Sequence, residues 1–442
     1  MHMKKSLIAS TVLLASSSLA YAEAPKNIIY MIGDGMGPAY TTGYRYFKDD
    51  KSTKYVERTI FDELFVGLAS TSPDDDTVVT DSAAGATALS TATKSYNGAI
   101  AVDTAKKPLT TMLQIAKSKG LTTALVATSQ INHATPASFA AHNESRRNYD
   151  EIANDYVDVK VDGKLAVDLM LGGGTKYFIR DDRNLVSEFK QAGYQYVDDF
   201  DKLESIKSLP AIGLFSDVAF AYAIDQNPTR LADMAKKTLS LLDNNKRDGF
   251  FVMLEGSQID WCGHANDIAC AMAEMDDFAN AIKHAKQYVD QNPDTLLVVT
   301  ADHSTGGLTL GANGHYSWHT DVIKGVNASI TKIAKALMKS DHLLTTWSDK
   351  TGIKLDKSQA EQLAMLTASA KGEKDDDHKE KEALVKHVRQ LISDASNTGW
   401  TTGGHTAIDV PILAYGKGAD AFKGHLDNTE IADQLINYIK QR

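Results

Sequence analysis

Four apolar, β-branched runs, each followed at once by polar residues, constrain the fold of this chain more than any other feature. Continuous apolar strands without alternation are typical of parallel sheets that are covered on both faces by helices. The four runs lie in the segments KNIIYMIGDGMG (26–37), TTALVATSQINHATP (122–136), GFFVMLEGSQIDWCGH (249–264) and TLLVVTADHSTGG (295–307). Helical patterns lie between them, so we predict an α/β fold, a three-layer α/β/α sandwich with a large, mostly parallel central sheet.

Side chains that can bind metals follow each of these runs. In open α/β sheets, sites form at the carboxyl ends of the strands, so we expect these side chains to converge at one edge. A ninth candidate precedes the apolar segment VPILAYG (410–416). The candidates are Asp34; His133 and Thr135; Glu255, Asp260 and His264; Asp302 and His303; and His405.

The spacing of these residues favours a site with more than one metal. Asp260 and His264 are four residues apart, which places them on one face of a helix. Asp302 and His303 are adjacent and suit one metal only where the backbone bends, which the nearby glycines 306 and 307 permit. Each residue alone has an ordinary explanation as a helix cap or a surface histidine. Together, histidine with aspartate favours zinc, and carboxylate with hydroxyl favours magnesium.

The segment VVTDSAAGATA (78–88) has two explanations. Asp and Ser before an alanine-rich run are ordinary helix-start residues. Ser82 is also a candidate nucleophile, because coordination to zinc lowers the pKa of a hydroxyl and a helix N-terminus favours an anion. Arg146 is the candidate for binding a phosphate through two parallel hydrogen bonds, and Arg147 is its nearest competitor.

The net charge of the chain excludes some classes of binding partner. The 442-residue chain carries a formal net charge of -10, so it has no basic footprint for nucleic acid. An anionic substrate therefore needs local positive charge, such as metal ions. Cys262 and Cys270 are the two cysteines; they form one disulfide or remain buried thiols, and a metal role is weaker.

The chain ends and the polar stretches give the domain organisation. Residues 1–22 have the pattern of a cleaved secretory signal, with lysines before a short apolar stretch and a small-x-small site, so we expect an exported protein with no membrane span. We expect residues 23–442 to form one domain, with a helix-rich insertion at about 308–400. Within it, the charged run KGEKDDDHKEKEA (371–383) is most simply a solvated helix or loop, and an accessory cation site at 375–377 is the alternative. Residues 150–205 look irregular, and 73–77 look like a polar turn.

Six segments, in this order along the chain, resemble the alkaline phosphatase family. They are GDGMG (33–37), VTDSAAGAT (79–87), HATPASFAAHNESR (133–146), EGSQIDWCGH (255–264), TADHSTGG (300–307) and GGHTAIDVP (403–411). The resemblance implies hydrolysis of phosphate monoesters at alkaline pH through a covalent phosphoserine on Ser82. It implies a periplasmic or secreted enzyme, usually a homodimer, with two Zn²⁺ and one Mg²⁺ per subunit.

The resemblance also implies a role for each site residue. Asp260, His264 and His405 would bind the first zinc, and Asp34, Asp302, His303 and the Ser82 oxygen would bind the second. Asp34 would join Thr135 and Glu255 on magnesium, and Arg146 would hold the phosphate. His133 and Trp261 occupy substrate-side positions that vary within the family, and Trp261 lacks the charge of the lysine that some members carry there. A related phosphodiesterase or sulfatase, and a secreted zinc- or phosphate-binding protein without turnover, are the alternatives.

Overall fold

A computed structural model describes residues 24–245, 247–372 and 379–442. The expected signal segment 1–22 and the alternative cation site at 375–377 lie outside the described residues.

The described chain forms a central sheet with short β-ribbons around it. The strands are β1 (Asn27–Gly33), β2 (Phe65–Ser70), β3 (Thr122–Gln130), β4 (Lys160–Val161), β5 (Lys164–Leu165), β6 (Leu169–Gly173), β7 (Gln195–Val197), β8 (Ala211–Leu214), β9 (Phe250–Gly256), β10 (Thr295–Thr300), β11 (Ser304–Thr305), β12 (Thr309–Leu310), β13 (Thr398–Gly399), β14 (His405–Thr406), β15 (Val410–Gly416) and β16 (Gly424–Asp427).

The α-helices of the described residues connect these strands. They are α1 (Pro38–Lys48), α2 (Ile60–Leu64), α3 (Ser82–Thr91), α4 (Met112–Ser118), α5 (Ala134–Ala140), α6 (Tyr149–Asp158), α7 (Thr175–Phe178), α8 (Leu185–Gln191), α9 (Arg230–Asp243), α10 (Gln258–His264), α11 (Ile268–Gln291), α12 (Thr320–Gly325), α13 (Ile330–Lys339), α14 (Leu343–Thr351), α15 (Lys357–Gly372), α16 (Lys379–Ser396) and α17 (Asn428–Lys440).

The central sheet has ten strands in the order β16-β2-β15-β10-β1-β9-β3-β6-β8-β7. All neighbouring pairs are parallel except those of β15, which runs antiparallel to both β10 and β2. The central strands β1, β3, β9 and β10 are buried along their whole length. Helices α3, α4, α5 and α17 pack together, as do α1, α9 and α11, and the two groups cover the sheet. The predicted α/β sandwich with a mostly parallel sheet is confirmed.

The direction of β15 explains how the segment around residue 405 reaches the site. Because β15 is antiparallel, its first residue lies at the edge where the parallel strands end. The preceding residues pair with the segment after β10, and Thr305 lies opposite His405 in the β11–β14 ribbon. A second ribbon, β12 with β13, joins the two ends of the segment that contains α12 to α16. Because helices α12 to α16 lie in this segment, its predicted helical character is confirmed.

The prediction of an irregular stretch at 150–205 is wrong. Two strands of the central sheet, β6 and β7, lie within it, and β8 follows directly. Strand β6 has the sequence LMLGG and β7 only QYV, so neither offers an apolar run long enough to be recognised. The polar segment 73–77 is a loop of bends, as predicted.

Candidate metal centre and nucleophile

The first cluster of possible metal ligands contains Asp260, His264 and His405. Helix α10 carries the first two, with His264 Nε2 at 3.2 Å from Asp260 Oδ2, as the spacing predicted. The Nδ1 atoms of His264 and His405 donate to the carbonyl oxygens of Gly403 and Thr80, at 2.6 and 2.8 Å. In neutral rings this leaves lone pairs on the two Nε2 atoms, which face each other at 3.1 Å. A shared cation satisfies that arrangement.

The second cluster contains Asp34, Asp302 and His303, all fully buried. Its centre is His303 Nε2, which lies 3.2 Å from Asp34 Oδ1 and 3.4 Å from Asp302 Oδ2. Asp34 follows the end of β1 and Asp302 the end of β10, and these two strands are neighbours. The chain bends sharply after His303, where Gly306 and Gly307 have φ values of +80° and +55°. These left-handed conformations suit glycine, as the sequence suggested.

The third cluster brings together Asp34, His133 and Glu255. Glu255 is the last residue but one of β9. His133 precedes helix α5 as its N-cap, and Thr135 lies in the first turn of that helix. The oxygens of Asp34 and Glu255, the Thr135 hydroxyl and Asp302 Oδ2 are buried and have no hydrogen-bond partner of normal geometry within the described residues. Native proteins seldom leave such atoms unpaired, and a bound cation satisfies carboxylate and hydroxyl oxygens at once.

The electrostatics of the second and third clusters also favour a bound positive charge. Burial raises the pKa of Glu255 to about 8 and that of Asp302 to about 7, and it raises the pKa of Asp34 well above its usual value. Nearby carboxylates add to the shift for Asp34 and Asp302. Burial lowers the pKa of His303 well below its usual value, so its ring is neutral, the form that binds metals. The donor set therefore fits divalent cations, with a histidine in each cluster and oxygen donors in the majority in the third.

Ser82 stands at the edge of the second cluster. Its Oγ lies 3.1 Å from His303 Nε2, and the residue is almost completely buried as the first residue of α3. Asp81, rather than Ser82, caps the helix by accepting a hydrogen bond from the Ala84 N–H. The Ser82 hydroxyl is therefore free of the capping role that the sequence left open, and it lies where the helix N-terminus favours an anion.

A glycine allows helix α3 to approach this cluster. A Cβ atom on Gly85 would lie 3.0 Å from the carbonyl oxygen of Asp302. The small residues of SAAGATA therefore bring the helix that starts at Ser82 against the loop that carries Asp302 and His303.

Arg146, and not Arg147, faces the site. Its Nη1 donates to Asp81 Oδ2 at 3.0 Å, and its Nη2 lies 3.3 Å from His133 Nε2. Arg147 is exposed. The ring of His133 in turn meets the ring of Trp261 edge-on, with centroids 5.8 Å apart. Arg146, His133 and Trp261 thus form a row beside Ser82 and the clusters.

Sequence reasoning missed two positioning residues. Asp81 was treated only as a helix-start residue, but its carboxylate also holds Arg146. Thr305 donates its hydroxyl to Asp260, and this hydroxyl lies 3.2 Å from His303 Nδ1, so it links two clusters. The sequence could have indicated both residues, because they lie inside the segments VTDSAAGAT and TADHSTGG, beside the predicted ligands.

The two cysteines form a disulfide, which decides between the alternatives left by the sequence. Cys262 in α10 is bonded to Cys270 in α11, and both are buried. Their sulfur atoms are thus not available as metal ligands. The bond ties the helix that carries Asp260 and His264 to the longest helix of the described chain.

Comparisons with known proteins agree with this geometry. The family model described as alkaline phosphatase matches residues 25–441. Alkaline phosphatase 3 of Bacillus subtilis (strain 168) is 44% identical over 94% of this chain and 89% of its own length. Alkaline phosphatase 4 of the same organism is 42% identical over 94% of this chain and 89% of its own length.

Solved structures agree as well. The cold-active alkaline phosphatase of a psychrophilic Shewanella species is 46% identical, with a TM-score of 0.87 over 93% of this chain and 99% of that one. The alkaline phosphatase of the Antarctic bacterium TAB5 is 28% identical, with a TM-score of 0.69 over 95% of this chain and 99% of that one. The chain therefore belongs to the alkaline phosphatase family.

Proposed function

We propose that this chain hydrolyses phosphate monoesters to alcohol and inorganic phosphate through a phosphoserine on Ser82. In the first step Ser82 Oγ, having given its proton to solvent, forms a bond to phosphorus while the bond to the ester oxygen breaks; the released alkoxide takes a proton from solvent and leaves as the alcohol. In the second step a water oxygen attacks phosphorus and loses a proton to solvent, the bond to Ser82 Oγ breaks, Ser82 Oγ takes up a proton again, and phosphate is released. The observation that carries this proposal is the buried Ser82 hydroxyl beside His303, at the start of a helix and at the edge of a cluster whose carboxylate oxygens lack hydrogen-bond partners.

The position of each residue in the site indicates its role in this reaction. Arg146 binds two oxygens of the phosphoryl group, and Asp81 fixes its orientation. We assign one zinc to Asp260, His264 and His405, and a second to Asp34, Asp302, His303 and Ser82 Oγ. We assign magnesium to Asp34, Thr135 and Glu255. Cations bound there stabilise developing negative charge on oxygen and lower the pKa of coordinated hydroxyl groups and water, which is the chemistry of a multi-metal site.

Export and dimerisation are part of the proposal. Residues 1–22 act as a cleaved secretory signal, and the Cys262–Cys270 disulfide supports an oxidising compartment outside the cytoplasm. In the part of the chain that the structure describes, no helix has both the length and the apolar character needed to cross a membrane. A homodimer is what the family resemblance implies, and light scattering during gel filtration tests it by giving the mass of two chains.

The test is hydrolysis of a chromogenic phosphate monoester at alkaline pH by the wild type and by Ser82→Ala. We expect activity that is lost on chelation, restored by zinc with magnesium, and greatly reduced in Ser82→Ala. Elemental analysis provides the second readout, with two zinc and one magnesium expected per chain, and with less zinc in Asp260→Asn. Full activity after the metals have been stripped would overturn the metal assignment. A metal-loaded wild type without turnover would favour a binding protein.

A further inference from the structure

A cleft of about 840 Å³ opens beside Trp261, within the range of small-molecule pockets. One wall is the loop 218–226, which contributes Phe220 and Tyr222. The opposite wall is helix α13, which contributes Lys332 and Lys335. Helix α13 lies in the segment between β12 and β13, so this segment forms one side of the cleft.

The cleft lies next to the proposed phosphate site, and Trp261 is the residue that connects the two. Trp261 follows Asp260 of the first cluster, and its ring contacts His133, whose Nε2 lies 3.3 Å from Arg146. Trp261 therefore lines the cleft and also contacts His133, the neighbour of Arg146. The metal clusters are buried, so the alcohol part of a monoester with its phosphoryl group at Ser82 must extend toward more open surface, and the cleft beside Trp261 is a place that can receive it.

Hydrogen bonds hold both walls in place. Gln258 Nε2 donates to the carbonyl oxygen of Phe220 at 2.6 Å, and the buried guanidinium of Arg230 donates to Gln258. Across the cleft, the Asp225 carboxylate accepts from the main-chain N–H and the hydroxyl of Ser329, at 2.9 and 2.7 Å. A cleft fixed in this way loses little conformational freedom when a ligand enters.

The helical wall of the cleft carries positive charge, and only part of this charge is in contact with other groups of the protein. Lys332 Nζ donates to the carbonyl oxygen of Asp225 at 2.5 Å, so its charge has no carboxylate partner there. Lys335 is exposed, and among the described residues no carboxylate lies within ion-pair distance of it. The only acidic side chain among the residues that form the cleft is Asp225, whose carboxylate is already hydrogen-bonded to Ser329. In a chain of net charge -10, these two lysines make the helical wall a local region of positive charge.

We propose that this cleft binds the leaving group of the ester and selects monoesters whose alcohol part carries a second negative charge, with Lys335 as the main determinant. The proposal rests on the proposed function. Phe220, Tyr222 and Trp261 contact the carbon skeleton of the leaving group, while Lys335 attracts its carboxylate, sulfonate or further phosphate. Lys335 is thus a specificity-determining residue and takes no part in the bond changes at phosphorus.

The test compares two probe esters, 4-carboxyphenyl phosphate and phenyl phosphate, in the metal-loaded enzyme. The measured quantity is the ratio of their kcat/KM values, so that the difference in leaving-group acidity cancels when variants are compared. We expect the ratio to fall about fivefold in Lys335→Glu, as reversal of one exposed charge predicts. The same ratio should fall in the wild type when salt is added, because exposed charges are screened.

Lys339→Glu is the matched control, because Lys339 is exposed at the end of the same helix and does not line the cleft. Its ratio should stay at the wild-type value. Equal ratios in the wild type and Lys335→Glu, with phenyl phosphate still hydrolysed, would overturn the inference and leave the proposed function intact. A wild type that hydrolyses neither ester would overturn both.

Discussion

Replacing Arg230 by methionine should destabilise the fold strongly, because Arg230 is the centre of a buried ionic network. Its Nη2 contacts both Glu274 oxygens at 2.7 Å, and its Nη1 contacts Asp277 Oδ2 at 3.2 Å. The three side chains are 1%, 3% and 1% exposed. Removing one partner leaves buried charge uncompensated, which costs about 3–5 kcal/mol in the free energy of unfolding.

The loss should depend on pH in a defined direction. Burial raises the pKa of Asp277 to about 7, and Arg230 opposes that rise. Without Arg230 the pKa rises further. A carboxyl group whose pKa is higher in the folded than in the unfolded state contributes stability at low pH, and this contribution is lost as pH rises through the folded pKa. The penalty of Arg230→Met should therefore be larger at about pH 9 than at about pH 6, by about 1–3 kcal/mol.

Urea unfolding followed by tryptophan fluorescence, with zinc and magnesium in excess, measures both effects. The matched control is Arg183→Met, since Arg183 also contacts two carboxylates, Asp158 and Glu188, but at the surface. That variant should lose at most about 1 kcal/mol at either pH. Similar losses for the two variants, or a loss from Arg230→Met that is greater at acid pH, would refute the reasoning.

Three further substitutions address the site. Asp81→Asn keeps a good helix cap but removes the ion pair with Arg146, so the inhibition constant for phosphate should rise about fivefold, or ~1 kcal/mol, with the urea midpoint nearly unchanged. Trp261→Lys adds positive charge beside the phosphate, and the same inhibition constant should fall roughly threefold; no tightening would contradict this. Gly85→Ala brings a Cβ to 3.0 Å from the Asp302 carbonyl oxygen. We expect kcat/KM to fall about tenfold or more, with reduced zinc by elemental analysis, as overpacking costs ~1–3 kcal/mol.

The centre of the fold was predictable because its strands are long and buried on both faces. Strands β1, β9 and β10 have six or seven residues each, and each ends within two residues of a predicted ligand. A ligand that follows such a strand has only one edge of the sheet to occupy. The convergence of Asp34, Glu255 and Asp302 therefore followed from the sequence alone.

The outer part of the sheet was not predictable in the same way. Strands β6 and β7 are short, and β7 is an edge strand that needs few apolar residues. The antiparallel direction of β15 was not predictable either, because the apolar pattern of a strand is the same whether the strand runs parallel or antiparallel to its neighbours. Sequence predicted His405 at a strand end, but only the β11–β14 ribbon shows how it stacks against His303, with ring centroids 3.5 Å apart.

The sequence also could not predict contacts between residues that are far apart along the chain. The pairing of Asp81 with Arg146 joins positions 65 residues apart, and the hydrogen bond from His405 to the Thr80 carbonyl joins positions 325 apart. Neither residue spacing nor composition encodes such pairs. The same holds for the wall formed by Lys335, which lies far along the chain from Trp261 but lines the same cleft.

The central claim is that Ser82 carries the phosphoryl group during turnover, and one measurement tests it most directly. The metal-loaded enzyme is mixed with a phosphate monoester and quenched with acid within the first turnover, and its peptides are analysed by mass spectrometry. The account predicts one phosphoryl group on Ser82 in the wild type and none in Ser82→Ala. Turnover with an unmodified Ser82 at every quench time, or with the phosphoryl group on another residue, would contradict it.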